Sequence, residues 1–100
     1  GKDFRFRFAG DRVIQFMGRR YAGELLSDNL SNPFFQRMSA ILIECIRRKE
    51  PVHVGPMRSN LQGKEFFEME VVVMPLSEDG ANVTTLFGAM DLRALPTLAK

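Results

Sequence analysis

The chain has 100 residues, of which 45% are hydrophobic and 10% aromatic, enough for one globular domain and too many for an intrinsically disordered segment. Fourteen Lys and Arg residues against twelve Asp and Glu residues give a formal charge of +2, a field too weak to indicate nucleic-acid binding. The single cysteine excludes an intramolecular disulfide and is typical of a reducing compartment. A membrane span needs about 20 apolar residues in a row, and no run in the sequence approaches that length. The sequence therefore predicts a cytoplasmic protein with no membrane span. We expect a single domain over residues 1–95, followed by a tail or linker at 96–100.

Residues 4–8 alternate strictly between Phe and Arg, the pattern of a half-buried strand. Asp11 then favours the start of a short helix, and Gly18 favours its end. The stretch 21–32 is irregular, with one helical turn predicted at 24–27.

A long helix is predicted to follow. Asn32 is a favoured cap, and Pro33 fits a first helical turn because its missing N–H would be unpaired there. Apolar residues recur at helical spacing as far as Ile46 and predict one broad buried stripe. Basic residues up to Lys49 suit the negative end of the helix dipole.

The second half of the chain predicts three consecutive strands, at residues 52–59, 65–74 and 83–90. The intervening segments 60–64 and 77–82 contain Gly and Asn, which tolerate the positive φ of hairpin loops. An antiparallel meander after one long helix predicts an α+β module of the sensor type.

This order of elements resembles the PAS domain, and in particular a bacterial subgroup of single-domain PAS proteins formerly described only as a domain of unknown function. Four motifs carry the resemblance, at residues 4–10, 57–63, 73–80 and 86–89. The resemblance implies an antiparallel sheet with short helices and one long helix on one face.

The resemblance also implies a fifth strand. PAS sheets have five strands in the spatial order second, first, fifth, fourth, third, and only four are visible in this sequence. Residues 4–8 match the second strand, so we expect the central first strand upstream of Gly1. Two alternatives are a strand lent by another subunit and direct pairing of Arg5 or Arg7 with Thr85 or Phe87.

The sequence contains no residue cluster that indicates a reaction and no hydrolase arrangement. The functional prediction therefore depends on the resemblance to PAS domains. We expect a non-catalytic signalling or sensor module that acts through protein association, with or without a small ligand. The alternative is a purely structural dimerisation module with a filled core. The signalling partner is not identified by the sequence.

A ligand pocket between helix and sheet is one prediction. Arg58 and His53 would be its polar anchors, and Met38, Leu42 and Phe87 would line it. Methionine and phenylalanine also make ordinary cores, so a filled interior stays open as the alternative.

Each polar candidate also has a simpler interpretation. Arg58 would form a solvent-facing salt bridge with Glu68 or Glu70, and His53 would be a partly exposed strand residue. Cys45 lies on the apolar stripe and is interpreted as a small buried hydrophobe. Flavin-binding PAS domains have a reactive-cysteine motif and haem-binding ones have a histidine on the long helix, and this sequence has neither. We therefore predict no cofactor and no metal. An unidentified small molecule is the alternative.

The second meander strand stops alternating at its end. Val71 and Val73 lie on one face and Val72 and Met74 on the other, so both faces are apolar and both need a cover. In PAS domains, which the sequence resembles, an N-terminal helix or a second subunit commonly covers the second face. We predict a homodimer, with cover by another segment of the chain as the alternative. The interface residues of this prediction are Val72, Met74, Leu86 and Met90.

Overall fold

The computed structural model describes residues 3–7 and 9–95, which form an α+β fold with two helices and a three-stranded antiparallel sheet. The helices are α1 (Asp11–Met17) and α2 (Pro33–Arg48), with a 3-10 turn at Leu26–Asn29 between them. The strands are β1 (Val52–Arg58), β2 (Phe67–Leu76) and β3 (Thr85–Ala94). No helix in this part of the chain is both long and apolar enough to cross a membrane.

Local chemistry sets the ends of α2. The Asn32 side chain accepts a hydrogen bond from the Phe34 backbone N–H at 3.0 Å, and Pro33 occupies the first turn. At the other end Lys49 adopts the left-handed conformation, and its N–H donates to the Cys45 carbonyl at 2.9 Å. Asn32 and Lys49 therefore fix the length of the helix that covers the sheet.

The sheet order is β1-β2-β3, with both neighbouring pairs antiparallel. β2 is central and pairs along its whole length with β3, from Phe67 opposite Ala94 to Leu76 opposite Thr85. The pairing of β1 with β2 shifts between Val54 and Met57.

The β2–β3 hairpin is longer than its sequence pattern predicts, since β2 continues through Pro75 to Leu76. Proline has no N–H for a ladder and is confined to strand edges. β1 begins at Val52, opposite Val73, so Pro75 lies beyond the end of β1, where the N–H that proline lacks is not needed. The hairpin therefore extends past the rest of the sheet.

The N-terminal segment does not form the fourth strand predicted for residues 4–8, of which Phe8 lies outside the described residues. Arg5 makes one isolated antiparallel bridge with Leu25. Phe6 donates to the Glu24 carbonyl at 2.9 Å, and Leu26 donates to the Phe4 carbonyl at 2.7 Å. These bonds satisfy the segment locally, so the described sheet has three strands.

Direct pairing of this segment with β3, one of the alternatives above, is absent among the described residues. The edge of β3 away from β2 has no partner strand in the same part of the chain. An upstream or lent strand on that edge stays a prediction. The predicted tail at 96–100 lies outside the described residues.

The core lies between α2 and one face of the sheet. Phe35 and Cys45 of α2 are 1% and 0% exposed, and Met69 and Val73 of β2 are each 2% exposed. Aromatic rings close one end of this layer, with the Phe16 and Phe67 centroids 5.3 Å apart. The sheet face toward α2 is called the inner face below, and the opposite one the outer face.

Candidate interaction surface on the outer face of the sheet

Strand alternation sorts the side chains of β2 between the two faces. Met69, Val71 and Val73 point to the inner face and are at most 8% exposed. The residues between them are more exposed and point to the outer face, because successive strand residues alternate. The register carries this division to β1 and β3.

One end of the outer face is apolar. Met74 and Phe87 are cross-strand partners and are 38% and 54% exposed. Leu76 beyond them is 46% exposed, and Val72 pairs with Ala89 beside them. We call this set the apolar patch; its members are Val72, Met74, Leu76, Phe87 and Ala89.

The other end of the outer face is an ion-pair network. The Arg93 guanidinium lies 3.1 Å from Glu68, 3.0 Å from Glu70 and 3.2 Å from Asp91. His53 Nε2 lies 3.0 Å from the second Glu70 oxygen. The hydrogen bond from His53, followed by that from Arg93, holds the pKa of the Glu70 carboxyl below its ordinary value.

A shallow depression of about 270 Å³ joins the two ends. Its lining combines His53, Glu70 and Asp91 from the network with Val72 and Ala89 from the patch. An apolar region bordered by charges of both signs is the arrangement of a protein interface, with a dry centre and a polar rim.

The five residues predicted as ligand contacts do not converge on one site. Met38 and Leu42 on α2 pack against the core. His53, Arg58 and Phe87 belong to the outer face, as their register shows. Because the sheet lies between the two groups, one ligand cannot touch both.

Arg58 lies opposite Glu68 in the register, yet the ion pairs to Glu68 and Glu70 come from Arg93. The sequence analysis did not identify Arg93 because the predicted third strand, residues 83–90, stops before it. The signal was the continued alternation through Asp91, Leu92 and Arg93, which places two charges opposite the acidic residues of β2.

The register also divides the four predicted interface residues. Val72 and Met74 lie on the outer face, whereas Leu86 and Met90 pair with Pro75 and Val71 and pack against the core. Leu86 and Met90 are therefore inner-face residues. Their outer-face neighbours, Phe87 and Ala89, complete the patch in their place.

Cys45 is fully buried, with its Sγ 3.5 Å from the carbonyl oxygens of Glu50 and Val73. Burial raises the pKa of its thiol. Its environment is that of a core residue and differs from that of a reactive thiolate, which is exposed.

Comparison with known proteins supports the same class of fold. A family model described as PAS domain matches residues 1–91, so the chain belongs to the PAS domain family. PAS domains are in general sensing or interaction modules without catalytic activity. Searches of curated proteins and of solved structures found no significant match.

Proposed function

We infer that this PAS domain relays a signal by non-catalytic association of two copies through the outer face of the sheet. The observation that carries the inference is the apolar patch. Large apolar side chains scattered singly on a surface are ordinary, but three adjoining ones on one sheet face mark an interaction surface.

A second copy fits this surface by symmetry. In a two-fold dimer the same residues meet from both sides. An axis near Met74 and Phe87 brings apolar patch against apolar patch and leaves both charged networks at the rim. Rim charges of both signs then tune the approach of the two copies more than the affinity.

Ligand gating is the finer form of this proposal. β3 contributes Leu86 and Met90 to the inner face and Phe87 to the outer face. A ligand that repacks the core beside β3 would also move the patch. It can shift the equilibrium between the two packings of β3 only to the extent that it binds one of them more tightly than the other.

The purely structural alternative is favoured by a different observation. The interior contains a continuous aromatic cluster, in which Phe35 lies 5.3 Å from Phe34 and 5.1 Å from Tyr21 between ring centroids. Such packing fills space that a ligand would need. Native mass spectrometry of freshly purified protein separates the two forms, since gating requires a bound small molecule and the structural module carries none.

Sedimentation equilibrium over a range of protein concentrations tests the association itself. We expect the wild type to dimerise and Phe87→Glu to be monomeric, because a charge cannot be buried unpaired at a two-fold contact. Ile43→Glu is the matched control, since Ile43 is a 45% exposed apolar residue on α2. A dimer that survives Phe87→Glu but not Ile43→Glu would contradict the proposed surface.

The absence of a cofactor is also part of the proposal. Cys45 is buried, and Nε2 of His53 already contacts Glu70. We expect no haem or flavin band in the visible absorption spectrum of the native protein.

A further inference from the structure

A second depression, of about 280 Å³, lies between the N-terminal segment, α1 and the loop after it. Arg7 and Arg20 line it from two different segments, and Tyr21 and Ile14 supply its apolar walls. Asp11 is its acidic member. Two guanidinium groups against one carboxylate give the depression a formal charge of +1.

Arg7 and Arg20 differ from Arg5 and Arg19 in having unused donors. Arg5 donates to the Gly23 carbonyl at 2.6 Å, and Arg19 makes a bidentate pair with Glu24 at 2.5 and 3.1 Å. Arg7 and Arg20 make no side-chain hydrogen bond or ion pair with any residue that the structure describes. Both residues are exposed, and each guanidinium has five N–H donors without a partner among the described residues.

The aromatic wall is held in place before any ligand arrives. The Arg19 guanidinium lies 3.8 Å from the Tyr21 ring centroid, and Phe6 and Phe35 lie 5.9 and 5.1 Å away. Glu24 fixes Arg19 in turn. A wall with restricted motion lowers the entropy cost of binding.

We propose that this depression binds a small organic anion, with a carboxylate or phosphate head on Arg7 and Arg20 and a short apolar body against Ile14 and Tyr21. Arginine forks match both head groups with paired hydrogen bonds. The volume is close to the lower bound of ligand pockets, about 300 Å³, and suits a single-ring molecule. The site is independent of the association surface.

Phenyl phosphate, benzoate and phenol are the probes, since they share one ring and differ in the head group. Titration of the isotope-labelled protein, followed by the NMR shifts of Tyr21 and Ala22, should show binding of the two anions and none of neutral phenol. Binding of phenyl phosphate alone would assign the site to phosphate sources, and binding of benzoate alone to carboxylates. Either result supports the proposal.

Charge variants give the site its signature. Arg7→Gln and Arg20→Gln should each weaken the bound anion about tenfold, the value of one charged hydrogen bond. Arg12→Gln, an exposed α1 arginine outside the lining, should change affinity less than about twofold, as screening at physiological salt predicts. Asp11→Asn should strengthen binding, an effect that a structural role of Asp11 would not produce.

Three results would overturn the proposal. The first is no shift at probe concentrations of about 10 mM, the weak limit of specific binding. The second is equal binding of phenol, which would show an apolar crevice. The third is equal weakening by Arg12→Gln, which would show a diffuse basic surface. Arg7→Lys and Arg20→Lys keep the charge and should retain partial binding. Full loss of binding in them, with an unchanged circular dichroism spectrum, would be a fourth result against the site.

Discussion

Met74 and Phe87 lie directly opposite each other on neighbouring strands of the outer face, and neither is covered by any other described part of the chain. Their exposed fractions of 38% and 54% compare with 2% for Met69 and Val73 on the inner face. The central strand is therefore covered on one side only, although both of its sides are apolar at this end.

Met74→Ser should weaken self-association by about tenfold or more, because burying a methionine side chain contributes about 1.5–3 kcal/mol. Leu30→Ser is the matched control, since Leu30 has the same exposed fraction of 38% outside the sheet. Sedimentation equilibrium measures both. Equal dimer constants for the two variants would show that Met74 is an ordinary exposed residue.

His53→Ala should raise the pKa of the Glu70 carboxyl toward its ordinary value of about 4.3. The physical reason is that the His53 hydrogen bond is the largest single cause of the lowered pKa, ahead of the hydrogen bond from Arg93. A carbon-detected NMR titration of the Glu70 carboxyl reads the shift directly. An unchanged Glu70 pKa in His53→Ala, with a raised one in Arg93→Ala, would remove His53 from the network.

Gly55→Ala should destabilise the fold by at least about 2 kcal/mol through steric overlap. Gly55 has a φ of +114°, and an added Cβ would lie 2.7 Å from the Met69 carbonyl oxygen and 3.1 Å from the Glu70 Cα. Both are backbone atoms of the central strand, so they cannot move aside cheaply.

Gly63→Ala separates this overlap from backbone strain. Gly63 also has a positive φ, +83°, but an added Cβ meets nothing within 4 Å. Gly63→Ala should therefore lower the free energy of unfolding by only about 1 kcal/mol. Urea unfolding of both variants makes the comparison, and similar losses would show that the close approach at β1 is readily relieved.

The β2–β3 loop should make stability depend on acid pH through Asp79. This carboxylate accepts from the backbone N–H groups of Ala81 and Asn82, each at 2.8 Å. These bonds, with those from the Asn82 and Ser77 side chains, lower the pKa of Asp79 far below its ordinary value.

The direction follows from the lowered pKa. The folded state holds Asp79 charged where the unfolded chain takes up a proton, so the stabilisation is complete above the unfolded pKa of about 3.9. It is lost as pH falls through the folded pKa. Asp79→Asn should lower Tm by a few degrees at neutral pH, and the difference from wild type should shrink on acidification. A difference independent of pH would contradict the role of the charge.

Much of the fold follows from local patterns. Asn32 and Pro33 place the start of α2 because cap chemistry is local, and the sheet order follows because short hairpins join neighbouring strands. The prediction of a sheet strand at residues 4–8 was wrong because Phe–Arg alternation indicates an extended, half-buried chain but does not indicate which segment pairs with it. The backbone of residues 23–26 satisfies it instead.

The face of each β3 residue was harder to predict. Leu86 and Phe87 are both large and apolar, so alternation does not say which one faces the core. Only the register decides, through the pairing of Leu76 with Thr85 at the hairpin end. On β1, His53 and Arg58 pair with the outer-face residues Val72 and Glu68, and this register separates them from Met38 and Leu42 on α2.

The most direct test of self-association through the outer face is an isotope-filtered NOE experiment on a mixture of labelled and unlabelled protein. It records only proton contacts between different copies. We predict contacts from the Met74 methyl group and the Phe87 ring of one copy to the same two residues of the other. Intermolecular contacts confined to other surfaces, such as that around Ile43, or no intermolecular contact at concentrations where the protein sediments as a dimer, would contradict this account.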